Sequence, residues 1–184
     1  MRTFIAIELD QPLKDRLGEL VRGLKRTGAD VRWTGPAGMH LTLKFLGEIG
    51  EKDAAAVEEV LKGAGAVHAR FPLTVQGTGF FPPGRNPRVL WVGVKEESGL
   101  TALAMHLETG LERLGYPRES RDFHPHLTLG RVRGPSRLGE VLVELEKDRD
   151  TVFGGMTASK VTFFESILKP DGAVYRALAE VELS

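Results

Sequence analysis

Four residues in this chain have the types and spacing for acid–base chemistry. His40 and Thr42 lie in MHLTLKFLGE, and His126 and Thr128 lie in FHPHLTLGR, so the tetrapeptide HLTL occurs twice in a chain with only five histidines. Composition alone predicts roughly 0.3 His-x-Thr pairs. One copy would carry little weight, but two identical copies ask for a cause. In an extended strand His40 and Thr42 share one face while Leu41 and Leu43 take the other, and the second copy divides in the same way. The bland reading, two half-buried strands with polar residues in solvent, suits one copy better than a duplicated one. An imidazole titrating near ~6.5 can hold or lack a proton around neutrality, so a pair can supply a general acid and a general base at once. A threonine hydroxyl on the same face can donate to a phosphoryl oxygen or orient the ring. That constellation suits phosphodiester chemistry without a metal.

Periodicity predicts the elements that must position these groups. Thr3–Leu9 alternates as a strand, and Asp10 and Pro12 open a helix whose Leu13, Leu17, Leu20 and Leu24 recur at helical spacing up to Gly28. Val31–Thr34 and Met39–Leu46 are expected as strands, and Asp53–Lys62 as a helix ending at Gly63. Phe71–Phe81 and Arg88–Val94 flank FPPGRNP and should pair as antiparallel strands. Leu100, Leu103, Leu107, Leu111 and Leu114 mark a helix closed by Gly115 and Pro117, ahead of the strand with the second HLTL. Leu138–Glu146 reads as a helix, and Val152–Met156, Lys160–Leu168 and Ala173–Glu180 as strands, the last two split by the turn KPDG. The order indicates α+β with mainly antiparallel sheet, and a motif-bearing strand in each half hints at internal duplication.

Composition narrows the classes of function. At 184 residues, 41% hydrophobic and 27% charged, the chain has the makings of a folded globule. Lys+Arg and Asp+Glu are both 25, so there is no overall field to draw in long polynucleotides or membranes, although a local basic cleft is compatible with neutrality. The absence of cysteine excludes disulfides and thiolate chemistry and fits a reducing compartment. MRTFIAIELD has too short an apolar run for a signal peptide, and no long apolar segment follows, so a cytoplasmic location and no membrane partner are expected.

Other residues bear on the same chemistry. Lys44 is expected to face solvent, and Phe45, which could stack on a base, alternates onto the core side of an unbroken strand. Arg131 closes the second motif as either a phosphate contact or a solvated strand end, and Arg85, Arg88, Arg118 and Arg121 are candidate nucleotide contacts. His124, His126 and His40 could form a metal site, but carboxylates at ligand spacing are lacking apart from Asp122, so no metal is expected and His124 is read as structural. His68 and His106 read as surface residues. The GTG at Gly77–Gly79 lacks the further residues of a phosphate-binding loop, which disfavours an ATP-dependent ligase and predicts no cofactor.

The paired His-x-Thr-x motifs, with HLTLKFLGE early and FHPHLTLGR late, resemble the two-histidine phosphoesterases, and among them the RNA 2′,3′-cyclic phosphodiesterases long called 2′-5′ RNA ligases. RTFIAIEL and PPGRNPRVLWVGV share in the resemblance, which covers most of the chain. It implies one bilobal domain over 1–184, with two pseudosymmetric lobes each placing a motif on a strand beside a central cleft. It further implies hydrolysis of a terminal 2′,3′-cyclic phosphate to a 2′-phosphate, His40 giving the proton and His126 accepting it, with Thr42, Thr128 and Arg131 on the phosphate. The residues themselves leave the acid and base roles open. The expected partner is an RNA end, tRNA fragments included, or a small cyclic nucleotide, acted on by a monomer. Reverse 2′-5′ ligation is a side reaction of that reading. The alternative is a module that binds nucleotide or RNA ends without turning them over.

Overall fold

The structure, a computed structural model, describes residues 1–95 and 98–184. The chain opens with β1 (Arg2–Glu8), whose Thr3 to Ile7 are buried on both faces because the strand is central in its sheet. Helix α1 (Gln11–Lys25) starts where Asp10 accepts a hydrogen bond from the Leu13 amide at 3.1 Å and Pro12 supplies a preset first turn. Its Leu13, Leu17, Leu20 and Leu24 are buried, each contributing roughly 1.5–3 kcal/mol. After β2 (Val31–Trp33) and a 3-10 turn at Pro36–Gly38 comes β3 (His40–Glu48), carrying the first motif.

Helix α2 spans Glu51–Val67 rather than ending at Gly63. The glycines do not break it, because one of them serves packing: a Cβ at Gly65 would stand 2.6 Å from the Glu182 carbonyl oxygen. Strands β4 (Phe71–Phe81) and β5 (Val89–Val94) pair antiparallel as their pattern predicts. Helix α3 (Ser98–Glu112) gives way to Gly115 at φ 93°, then β6 (His126–Val132) carries the second motif. Helix α4 (Leu138–Glu146), β7 (Val152–Ala158), β8 (Lys160–Lys169) and β9 (Gly172–Glu182) complete the order, with β8 and β9 joined at the KPDG turn.

The strands form two antiparallel sheets, one in the order β3-β1-β8-β9 and one in the order β2-β6-β5-β4-β7. The lobes trade strands: β2 from the first half edges the second sheet, and the C-terminal hairpin β8–β9 returns to the first. Leu41, Leu43, Leu127 and Leu129, the apolar faces of both motifs, enter one core with the buried sides of α1, α2 and α3. A smaller cluster of Phe4, Ala6 and Phe164, with Tyr175 against it, lies on the opposite face of the first sheet.

Candidate active site

The two motif strands repeat one local device. Along β3 the pairing with β1 runs His40↔Glu8, Leu41↔Ile7 and Thr42↔Ala6, then skips Leu43 and resumes at Lys44↔Ile5 and Phe45↔Phe4. Along β6 the pairing with β5 runs His126↔Gly93, Leu127↔Val92 and Thr128↔Trp91, then skips Leu129 and resumes at Gly130↔Leu90 and Arg131↔Val89. Each is a β-bulge at the fourth residue of the motif. An extra residue in one strand inverts the alternation beyond it. The burial sequence is accordingly the same in both copies, with two consecutive buried residues at Leu43–Lys44 and at Leu129–Gly130.

The bulge overturns two expectations. Lys44 is turned inward and is 3% exposed rather than solvent-facing. Its ammonium donates to the Pro117 carbonyl at 2.6 Å and lies 2.7 Å from Glu108 Oε1, off the line of an aligned hydrogen bond, with Glu119 at 3.9 Å. Glu108 Oε2 in turn accepts from the Glu119 amide at 3.1 Å. This charged knot ties the first motif strand to α3 and to the segment leading into the second motif. Phe45, expected in the core, is instead 61% exposed on the His40 face, its ring 6.0 Å from that of Phe4. The same inversion puts Arg131 on the face of His126 and Thr128, where it is exposed.

His40 is packed among aromatic rings. Its imidazole stacks on Phe4 at 4.8 Å, lies 5.7 Å from Phe164 and meets Tyr175 edge-on at 5.0 Å. This burial lowers its pKa to about 4, against upward pushes from a hydrogen bond to the Ala37 backbone and from the Glu8 carboxylate, with Lys14 adding a small downward one. His40 is therefore neutral in the free protein at neutral pH. His126 is held by the main chain: its Nδ1 lies 2.7 Å from the His124 carbonyl oxygen. A carbonyl only accepts, so Nδ1 carries the hydrogen and the neutral ring presents its Nε2 lone pair. Phe81 at 5.2 Å and Trp91 at 6.4 Å wall that ring.

Thr42 and Thr128 are half-buried on the faces of their histidines. Strands β3 and β6 run against each other where the sheets meet, and their leucines enter one core, so both His/Thr faces open on the side away from it.

The remaining candidates separate. His124 acts through its backbone while its ring is exposed. His68 and His106 are half-buried and joined ring to ring at 2.8 Å, bridging the end of α2 to α3 rather than standing free at the surface. Arg118 is engaged with Glu112 at 2.8 Å and Thr109 at 3.0 Å, while Arg85, Arg88 and Arg121 are exposed. Among the described residues, no group of three or more His, Cys, Asp or Glu could hold a metal, and no helix is long and apolar enough to cross a membrane. The sequence reading passed over the aromatic walls. Trp91 carried a legible signal, since it alternates against Leu90 and Val92 on the face away from the core.

Comparison with known proteins bears on the family and the fold. A family model described as LigT like Phosphoesterase matches the chain twice, over residues 7–91 and 92–175. An RNA 2′,3′-cyclic phosphodiesterase of Archaeoglobus fulgidus is 36% identical over 182 residues, covering 99% of this chain and 100% of that one. The protein of the same name from Methanothermobacter thermautotrophicus is 34% identical over 178 residues, covering 95% of each. Among solved structures, TT0787 of Thermus thermophilus superposes with a TM-score of 0.85 at 29% identity, covering 100% of this chain and 98% of that one. E. coli LigT complexed with 3′-AMP shares the fold, with a TM-score of 0.77 at 24% identity over 100% of this chain and 98% of that one.

Proposed function

The chain belongs to the LigT-like phosphoesterase family and is an enzyme of cyclic phosphodiester hydrolysis, and on that premise we propose that His40 and His126 open an RNA-terminal 2′,3′-cyclic phosphate between them. The observation that supports this reading is the twice-built bulged HLTL strand, which puts an imidazole and a hydroxyl on one face of each of two strands, β3 and β6, that touch where the sheets meet. Thr42 and Thr128 donate to the non-bridging phosphate oxygens, and Arg131 offsets the charge that grows there. His126 Nε2 takes a proton from water as the water oxygen bonds to phosphorus. The bond from phosphorus to the 3′ oxygen breaks, that oxygen receives a proton from His40, and a 2′-phosphate remains. Exposed Phe45, on the His40 face, is placed to stack on the terminal base.

The low pKa of His40 adds a condition. To donate, His40 must gain a proton that the free protein lacks, and the entering phosphate anion favours the imidazolium and supplies that proton affinity. Substrate binding at pH 7 is thus expected to take up about one proton per site. Calorimetry in buffers of different ionisation enthalpy, with a cyclic-ended RNA bound to an inactive His126→Ala variant, measures it. No uptake would hand the base role to His40 and the acid role to His126.

One chain supplies both motifs and one apolar core runs through both lobes, which supports a single bilobal domain over 1–184 acting as a monomer. The cysteine-free composition fits the cytoplasm. The primary test is purified protein in excess chelator with an RNA ending in a 2′,3′-cyclic phosphate. A 2′-phosphate product, lost in His126→Ala, supports the reading. Binding without turnover would make the chain a binding module, and turnover only with added divalent metal would reject the metal-free mechanism.

A further inference from the structure

The cleft face of the second sheet continues past the catalytic strand. Thr128 pairs with Trp91 on β5, and Trp91 pairs with Gly79 on β4, so these three positions share one face. Gly79 leaves room for the indole to lie over β4, because a Cβ there would run into the Trp91 ring. Beyond that ring β4 bulges, its register with β5 breaking between Val75 and Thr78, with Gly77 at φ 75°. The bulge helps form a cavity of about 350 Å³ lined by Gln76, Gly77, Thr78, Trp91, Arg149 and Asp150. The Trp91 indole nitrogen is buried and has no hydrogen-bond partner among the described residues.

We infer that this cavity receives the nucleobase one step upstream of the cyclic end, so that the enzyme is built for oligonucleotides rather than mononucleotides. The inference rests on the phosphodiesterase reading above. Two strand spacings, about 10 Å, separate β6 from β4, a reach beyond the nucleotide that carries the reacting phosphate. One wall is a flat aromatic ring on which a base can stack, and exposed Gln76 offers an amide that can donate or accept. The charges argue for a base rather than a phosphate. Arg149 lies 2.9 Å from Glu146 and 3.7 Å from Asp150, so the local field is close to balanced.

The test compares kcat/KM for a cyclic-ended mononucleotide, the dinucleotide, and a dinucleotide whose upstream residue lacks its base. The intact dinucleotide should be favoured over the mononucleotide by roughly tenfold or more. That advantage should vanish in the abasic substrate and shrink severalfold in Gln76→Ala and Arg149→Ala. Equal kcat/KM for the mononucleotide and intact dinucleotide would overturn the inference, as would an advantage that survives loss of the base. Failure to turn over all three substrates would instead fail the phosphodiesterase reading, and the subsite with it.

Discussion

The two HLTL strands have the same four residues, the same burial order and a bulge at the same leucine, yet they hold their histidines in opposite ways. His40 sits among Phe4, Phe164 and Tyr175, where desolvation drives off its proton. His126 is oriented by a backbone carbonyl. The residues that follow diverge as well. The bulge delivers Lys44 and Phe45 in one lobe and Gly130 and Arg131 in the other, so one copy of the device presents an aromatic ring on the face of its histidine and the other a guanidinium. The duplicated backbone sets positions, and the residue re-aimed by the bulge sets what each lobe contributes.

The largest expected effects fall on the histidines. His40→Ala and His126→Ala should each lower kcat by about 10²–10⁴, and the double variant should lose little more than either, because the two act as one unit. Steady-state and single-turnover rates check this. If one histidine proved dispensable, the symmetric reading of the lobes would break.

The inward position should matter next. Removing Lys44 as Lys44→Met leaves Glu108 without its buried partner and should cost about 3–5 kcal/mol, whereas Arg131→Met, at an exposed site, should stay within about 0.5 kcal/mol. Urea unfolding measures both. Comparable stability for the two variants would mean that the Lys44 knot does not hold the lobes' elements together.

The buried imidazole should also appear in the pH dependence of stability. The folded-state pKa of His40 is lowered from 6.5 to about 4. Between those values the unfolded chain binds a proton that the folded chain refuses, so stability rises with pH there. The contribution is complete above 6.5, falls by on the order of 3 kcal/mol as the pH drops to about 4, and is flat below. The difference in urea midpoint between wild type and His40→Gln, taken from pH 7 to pH 4, isolates this effect from the carboxylates. A difference independent of pH would mean that His40 is not buried in its neutral form.

The smallest expected effect sharpens the comparison of ring with guanidinium. Phe45→Ala should raise KM roughly tenfold with kcat little changed and leave the unfolding midpoint nearly untouched, since the ring is already exposed. A loss of stability without a change in KM would mean that Phe45 packs rather than binds.

Much of this was readable in the chain itself. The leucine spacing of α1 and α3, the cap at Asp10, the turn at KPDG and the repeated His-x-Thr are local patterns, and local patterns specify element type, capping and the facing of near neighbours. Hence His40, Thr42, His126 and Thr128 were identifiable in advance as two like-facing pairs. Lys44 and Phe45 were misplaced because a bulge belongs to the pairing of two strands, here β3 with β1, and leaves no mark in the alternation of one. The helix continues past Gly63, where a Cβ would meet nothing, and at Gly65 it is the approach of β9, more than a hundred residues on, that asks for a glycine. The sequence alone determined which groups could do the chemistry and which faces they share. Only the tertiary structure decided that Phe45 and Arg131 join them and that His40 is neutral, because register between strands and desolvation by Phe164 and Tyr175 arise between segments far apart in the chain.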